Sequence, residues 1–280
     1  MIDYGVVCDC LQAYWGNGSE ITHQNDQNDI VLCAYRRTDM IRAVAFDFDH
    51  TLYDRDATYV KMLDAYRMRL GRFIHPRFTP SQLLKTLQEV DRQGTYNDSW
   101  RGIYQASLDA GVFENAPGYA PYFSIIEEIF PPSIVLYPDT LSTFHALKGM
   151  GYRLAILTNG PSGYQHDKIV SAGVADGMDA IVVSGDVGKQ KPDPAPFERV
   201  AELLELPLSQ IVYVGDNPVC DVDGARKAGM TPVWFRSFGY WPSGLTPAAY
   251  AADRLGELPD LLRRIASTGH EAHTAIDGCH

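Results

Sequence analysis

The sequence predicts an α/β protein, a doubly wound parallel-sheet core with an inserted helical cap domain. Three observations carry this expectation. Over the second half of the chain, short apolar runs alternate with helical stretches, the pattern of a parallel sheet covered on both faces. Between about Asp54 and Pro138 the apolar residues recur at helical spacings only. Polar residues gather just after the apolar runs, where ligands bind in open α/β sheets.

Residues 1–39 are polar, with WGNGSE and HQNDQND rich in turn formers, and read as a disordered or loosely attached extension. Cys8 and Cys10 with Cys33 lack both the ligand spacing and the completing Cys/His pair of a zinc site, and five scattered cysteines imply no disulfide framework. From Met40 the character changes. Ile41–Phe46 is a short, apolar run that reads as a buried strand ending on Asp47-Phe48-Asp49.

The core is expected over 40–53 and 139–265, with the cap over 54–138. Four cap helices follow from Val60, Leu63, Tyr66 and Leu70; from Leu83, Leu84, Leu87 and Val90 after Pro80; from Ile103, Tyr104 and Leu108 after an Asp98 cap; and from Tyr122 to Phe130. Four more strands are expected at Arg153–Leu157, Ala180–Val183, Gln210–Val214 and Pro232–Phe235, with helices between them. Residues 266–280 read as a disordered tail, His270, His273 and His280 included. The aromatic group Trp234-Phe235 to Tyr240-Trp241 is expected to cover the sheet edge, and Trp100, Tyr104, Tyr119 and Tyr122 to pack the cap, one or two of them facing a substrate.

Hydrophobic residues at 45% and charged residues at 21% are the mix of a folded globular chain. Twenty-four basic against thirty-five acidic side chains give a net charge of −11, which disfavours nucleic acid and anionic membrane surfaces as partners. No apolar stretch approaches the roughly 18 residues of a membrane span, and the first residues lack a secretory signal, so a cytoplasmic protein is expected. An anionic substrate would need a local positive charge.

Four strand ends carry polar signatures. Asp47 and Asp49 bring two carboxylates to one site, a conflict that a divalent cation resolves. Thr158, Asn159 and Gly160 offer a hydroxyl, an amide and an accessible backbone N–H, which suit an anion. Lys191, ahead of a proline-stiffened turn, supplies positive charge, and Asp216 and Asp221 add two carboxylates facing the same crevice. Oxygen ligands of this kind are what Mg²⁺ prefers.

Taken together, DFDHT at 47–51, LTNG at 157–160, the lysine of KPDP at Lys191 and GDNPVCD at 215–221 resemble the signatures of the haloacid dehalogenase superfamily of hydrolases, in its phosphatase branch. The resemblance spans roughly Ile41 to Leu262 and includes the placement of a type 1 helical cap. It implies a Rossmann-like core and a Mg²⁺-dependent phosphatase acting on a small phosphorylated metabolite. It further implies Asp47 as nucleophile, Asp49 as general acid and base, and Lys191 as the residue offsetting negative charge. Thr158, the Asn159 amide and Lys191 would hold phosphate oxygens. The Asp47 carboxylate, the Asp49 carbonyl and Asp216 would hold the metal, with Asp221 in support.

A phosphomutase or a dehalogenase on the same fold, or an idle phospho-ligand binder, are the alternatives. The dehalogenases resembling this chain lack a second acid in the first motif, so Asp49 favours phosphate chemistry, and the intact Asp47, Asp49, Lys191 and Asp216 argue against an idle relative. His50 stands where that family more often has glycine, and reads either as lining the pocket or as a tolerated substitution turned towards solvent or cap. The leaving group and the oligomeric state have no readable signature.

Overall fold

In the computed structural model, which describes residues 40–94, 99–237 and 241–274, six parallel strands form one sheet in the order β3-β2-β1-β4-β5-β6. They are β1 Ala43–Phe46, β2 Arg153–Thr158, β3 Ala180–Val183, β4 Ile211–Gly215, β5 Thr231–Phe235 and β6 Tyr250–Ala252. β1 lies between β2 and β4, with Phe46 opposite Ile156 on one side and Val214 on the other. Because side chains alternate along a strand, the two faces bury different residues. Val44, Phe46, Ile156 and Val214 enter one apolar core; Ala43, Ala45, Leu157 and Tyr213 enter the other. A strand buried on both faces has no polar side, which is why these strands read as unbroken apolar runs.

Helices cover both faces. Phe144 and Leu147 of α5 (Thr140–Gly149), Tyr164 and Ile169 of α6 (Ser162–Ser171) and Leu258, Leu261 and Leu262 of α10 (Leu258–Thr274) pack in the first core. Phe197 and Val200 of α8 (Pro194–Leu203) and Ala225 of α9 (Gly224–Ala228) pack in the second, and a single turn, α7 (Ser184–Val187), follows β3. Between β1 and β2 come the four cap helices, α1 Arg55–Leu70, α2 Pro80–Gly94, α3 Ser99–Asp109 and α4 Tyr119–Ile129. Asp54 caps α1, its Oδ1 accepting the Ala57 N–H at 2.9 Å. The chain leaves and re-enters the core side by side, with Tyr53 bridging Leu136 and the Asp54 N–H bonding the Val135 carbonyl at 2.8 Å.

Several expectations are corrected. α1 buries Tyr59, Met62, Tyr66 and Leu70, whereas Val60 is 57% exposed. The edge strand beside β5 is β6, a three-residue segment of Tyr and Ala with no β-branched signal, so Trp234 and Phe235 lie on the strand next to the edge. Trp234 instead packs on Trp241 with ring centroids 4.9 Å apart, and its Nε1 donates to the Asp216 carbonyl at 3.0 Å. The last helix continues past 265 to Thr274, carrying His270 and His273. Residues 1–39, Asp98, Tyr240, Cys279 and His280 lie outside the described residues. Among the described residues, no helix is long and apolar enough to cross a membrane.

Candidate active site

The strand order turns back between β1 and β4, the switch point at which an open α/β sheet leaves a crevice beyond its carboxyl ends. Asp47 immediately follows β1, its N–H extending the ladder to the Val214 carbonyl at 2.8 Å, and Asp216 immediately follows β4. The wide π-type turn Pro218–Asp223 then brings Asp221 back over the strand end. One carboxylate oxygen from each of Asp47, Asp216 and Asp221 lies within 4.8 Å of the others. Gly215 permits this approach, since a Cβ there would stand 2.4 Å from the Asp221 Cγ.

Lys191 enters from the loop before α8 and is buried. Its Nζ donates to Asp47 Oδ1 and Asp221 Oδ1, both at 2.7 Å, to the Tyr213 hydroxyl at 2.8 Å and to the Leu157 carbonyl at 3.2 Å. The other Asp221 oxygen accepts the Asn217 N–H at 2.9 Å. Asp47 Oδ2 accepts a long 3.3 Å bond from the Thr51 hydroxyl, weaker than the Lys191 bond on Oδ1. Burial and the neighbouring Asp221 and Asp49 outweigh Lys191 and push the Asp47 carboxyl up to about 7. Burial, Asp221 and Asp47 likewise raise Asp216 well above the carboxylate range. Carboxyls so placed are short of positive charge, and an all-oxygen donor set of this kind fits a hard divalent cation.

Thr158 ends β2 and is buried, its hydroxyl oxygen accepting from Gln165 Nε2 at 2.7 Å. The Asn159 side chain is spent on the Lys191 backbone, donating to its carbonyl at 3.1 Å and accepting its N–H at 2.9 Å. It therefore holds the lysine loop in place.

Asp49 is surrounded by donors that the sequence reading missed. Lys168 Nζ reaches its two oxygens at 2.5 and 2.7 Å, Gln165 Nε2 donates at 2.9 Å, Arg55 Nη1 at 3.1 Å, and the Tyr53 hydroxyl makes a further short bond. Although burial opposes it, this company holds the Asp49 carboxyl well below the usual range. Gln165 and Lys168 stand three residues apart on one face of α6, which is the signal that could have found them. Arg55, in the first turn of a cap helix, gave none.

His50 is buried with φ 60°, the left-handed region in which glycine is at ease, and burial and Arg55 push its imidazole down to about 4. It lines the crevice and does not face solvent. The crevice encloses about 230 Å³ and takes its walls from both layers: Asp47, Thr158, Lys191 and Asp216 from the core, Arg55 and Trp100 from the cap. Tyr104, Tyr119 and Tyr122 pack against each other inside the cap instead. Cys220 also lines the crevice, but burial pushes its thiol up to about 11, too high for a nucleophile at neutral pH.

A family profile described as haloacid dehalogenase-like hydrolase matches residues 44–235. A glyceraldehyde 3-phosphate phosphatase from Methanopyrus kandleri is 28% identical over 237 residues, covering 81% of this chain and 99% of the relative. A phosphoserine phosphatase from Thermus thermophilus is 33% identical over 139 residues, or 49% of this chain and 56% of that protein. Among solved structures, a phosphatase of the same family from Thermococcus onnurineus superposes with a TM-score of 0.53 at 28% identity, covering 79% of this chain and 98% of its own. With the motif aspartates and the motif lysine meeting at the switch point of a six-stranded parallel sheet, the chain belongs to the haloacid dehalogenase-like hydrolases, alongside its phosphatase relatives.

Proposed function

We propose that this hydrolase cleaves small phosphate monoesters in two steps, with Asp47 as the nucleophile and Mg²⁺ as the cofactor. The observation that carries the reading is the convergence of Asp47, Asp216 and Asp221 within 4.8 Å, with Lys191 bonded to two of the three. In the first step an Asp47 oxygen attacks phosphorus, the ester P–O bond breaks, and Asp49 gives its proton to the leaving oxygen. In the second, water loses a proton to Asp49 and attacks the aspartyl-phosphate, releasing inorganic phosphate and restoring the Asp47 carboxylate. With its present donors Asp49 is an anion, ready for the second step. A dianionic ester would favour its protonation for the first, by repelling its charge and competing for Lys168.

Lys191 offsets the charge on Asp47 and on the transferred group, and Thr158 with the Asn159 N–H would hold phosphate oxygens. The Asp47 carboxylate, the Asp49 carbonyl and Asp216 would hold Mg²⁺, with Asp221 in support. When bound, the cation would shield the nucleophile from the phosphate charge it must approach. A crevice of about 230 Å³ is smaller than the 300–1,000 Å³ common for ligand pockets, which supports a compact leaving group. The relatives named for glyceraldehyde 3-phosphate and phosphoserine support the same size class.

The test is release of inorganic phosphate from a panel of small phosphate esters, with and without Mg²⁺, in wild type and Asp47→Asn. We expect Mg²⁺-dependent release that falls by more than about a hundredfold in the variant, because a blocked covalent step costs at least that much. Release from no ester, or equal release by the variant, would overturn the reading.

A further inference from the structure

The clamp around Asp49 spans three helices. Lys168 belongs to α6 of the core; its Nζ holds both Asp49 oxygens and is fixed in turn by Gln165 Oε1 at 2.7 Å. Arg55 opens α1 of the cap. Its Nε donates to Asp91 Oδ2 on α2 at 2.8 Å, its Nη2 lies 2.7 Å from Asp91 Oδ1, and its Nη1 points to Asp49. Asp91 also accepts from the Tyr59 hydroxyl at 3.0 Å.

A guanidinium gripped through two bonds has its plane fixed, so the direction of its remaining N–H groups is fixed too. Aromatic faces confine the two cations sideways, Arg55 over Trp100 at 5.4 Å and Lys168 over Tyr164 at 5.3 Å. Setting two buried cations against the buried Asp91 and the partly buried Asp49 is a poor way to gain stability, since apolar side chains of the same volume do as well or better. What such a network supplies is direction.

We propose that Lys168 and Arg55, the latter aimed by Asp91, form a two-sided clamp that sets the direction of the Asp49 carboxylate towards the leaving oxygen. Asp91 touches no reacting atom and is thus a positioning residue of the reaction. The inference rests on the reading of Asp49 as the acid and base given above.

The experiment compares kcat/KM, which reports the step in which the leaving group departs, for two esters in the presence of Mg²⁺. One is p-nitrophenyl phosphate, whose phenolate leaves without a proton; the other is the alkyl phosphate that the wild type cleaves best. In Asp91→Asn the alkyl ester should lose about a hundredfold or more, within the range that acid–base catalysis contributes, and p-nitrophenyl phosphate less than about tenfold. Placed in an Asp49→Asn background, Asp91→Asn should cost no more than about twofold further, because its effect passes through Asp49.

If the buried Arg55 cation prevents Asp91→Asn from folding, Arg55→Met combined with Asp91→Leu removes both charges and should show the same split between esters. Equal losses on the two esters, or a full loss from Asp91→Asn on top of Asp49→Asn, would overturn the clamp while leaving the phosphatase reading intact. A wild type that cleaves neither ester would overturn both.

Discussion

Lys191 donates to four oxygens and separates two buried carboxylates, so its removal should be felt first in stability. Lys191→Met leaves Asp47 and Asp221 without their shared cation, and we expect a loss of about 3–5 kcal/mol in chemical denaturation, the cost of breaking a buried ion pair from one side. Added Mg²⁺ should restore part of that loss, since it supplies charge to the same carboxylates. A variant as stable as the wild type would show that the lysine is not what the carboxylates depend on. Asp47, Asp216 and Asp221 were legible in the sequence because they stand in short polar runs that begin at or just beyond a strand end, and Lys191 because it stands directly ahead of the Pro192 turn. Lys168 and Arg55 were not, because a charged residue on a helix ordinarily reads as solvated. Their partner, Asp49, is 119 positions from Lys168, a pairing only the fold brings about. Asn159 was legible as a site residue, yet its side chain serves the Lys191 loop, a distinction that spacing alone does not carry.

At the scale of elements, the number of cap helices follows from apolar spacing, but the buried face of α1 does not. Val60, Leu63, Tyr66 and Leu70 fit a helical period as well as Tyr59, Met62, Tyr66 and Leu70 do, and the tertiary packing chooses the second set. Met62→Ala should therefore cost about 2–5 kcal/mol, as a large buried side chain does when truncated, while Val60→Ala stays within about 0.5 kcal/mol. Denaturation midpoints of the two variants check this, and the reverse order would mean that α1 is rotated. The sixth strand escaped notice for a related reason. Its three residues gain strand geometry from pairing with β5, with Trp234 opposite Ala251, and not from their own propensity.

Across the whole molecule, the cap and the core share one apolar cluster. Phe48 and Tyr164 of the core pack with Tyr59, Trp100 and Phe130 of the cap. One crevice therefore takes its wall from both, with Trp100 and Arg55 supplied by the cap and the carboxylates by the core. An acidic chain of net charge −11 meets the need for local positive charge with three buried cations, Lys191, Lys168 and Arg55, all lining that crevice. Asp216→Ala should raise the Mg²⁺ concentration needed for half-maximal phosphate release by at least about tenfold, a loss already seen when groups supporting a metal ligand are removed. Coincident titrations of variant and wild type would place the metal elsewhere.

If phosphorus passes through Asp47, it can be trapped there. Enzyme quenched in acid during turnover of p-nitrophenyl phosphate, digested and weighed by mass spectrometry should carry one phosphoryl group on the peptide containing Asp47, and none in Asp47→Asn. Steady turnover with that peptide unmodified, or with the phosphoryl group on another side chain, would exclude Asp47 as the nucleophile.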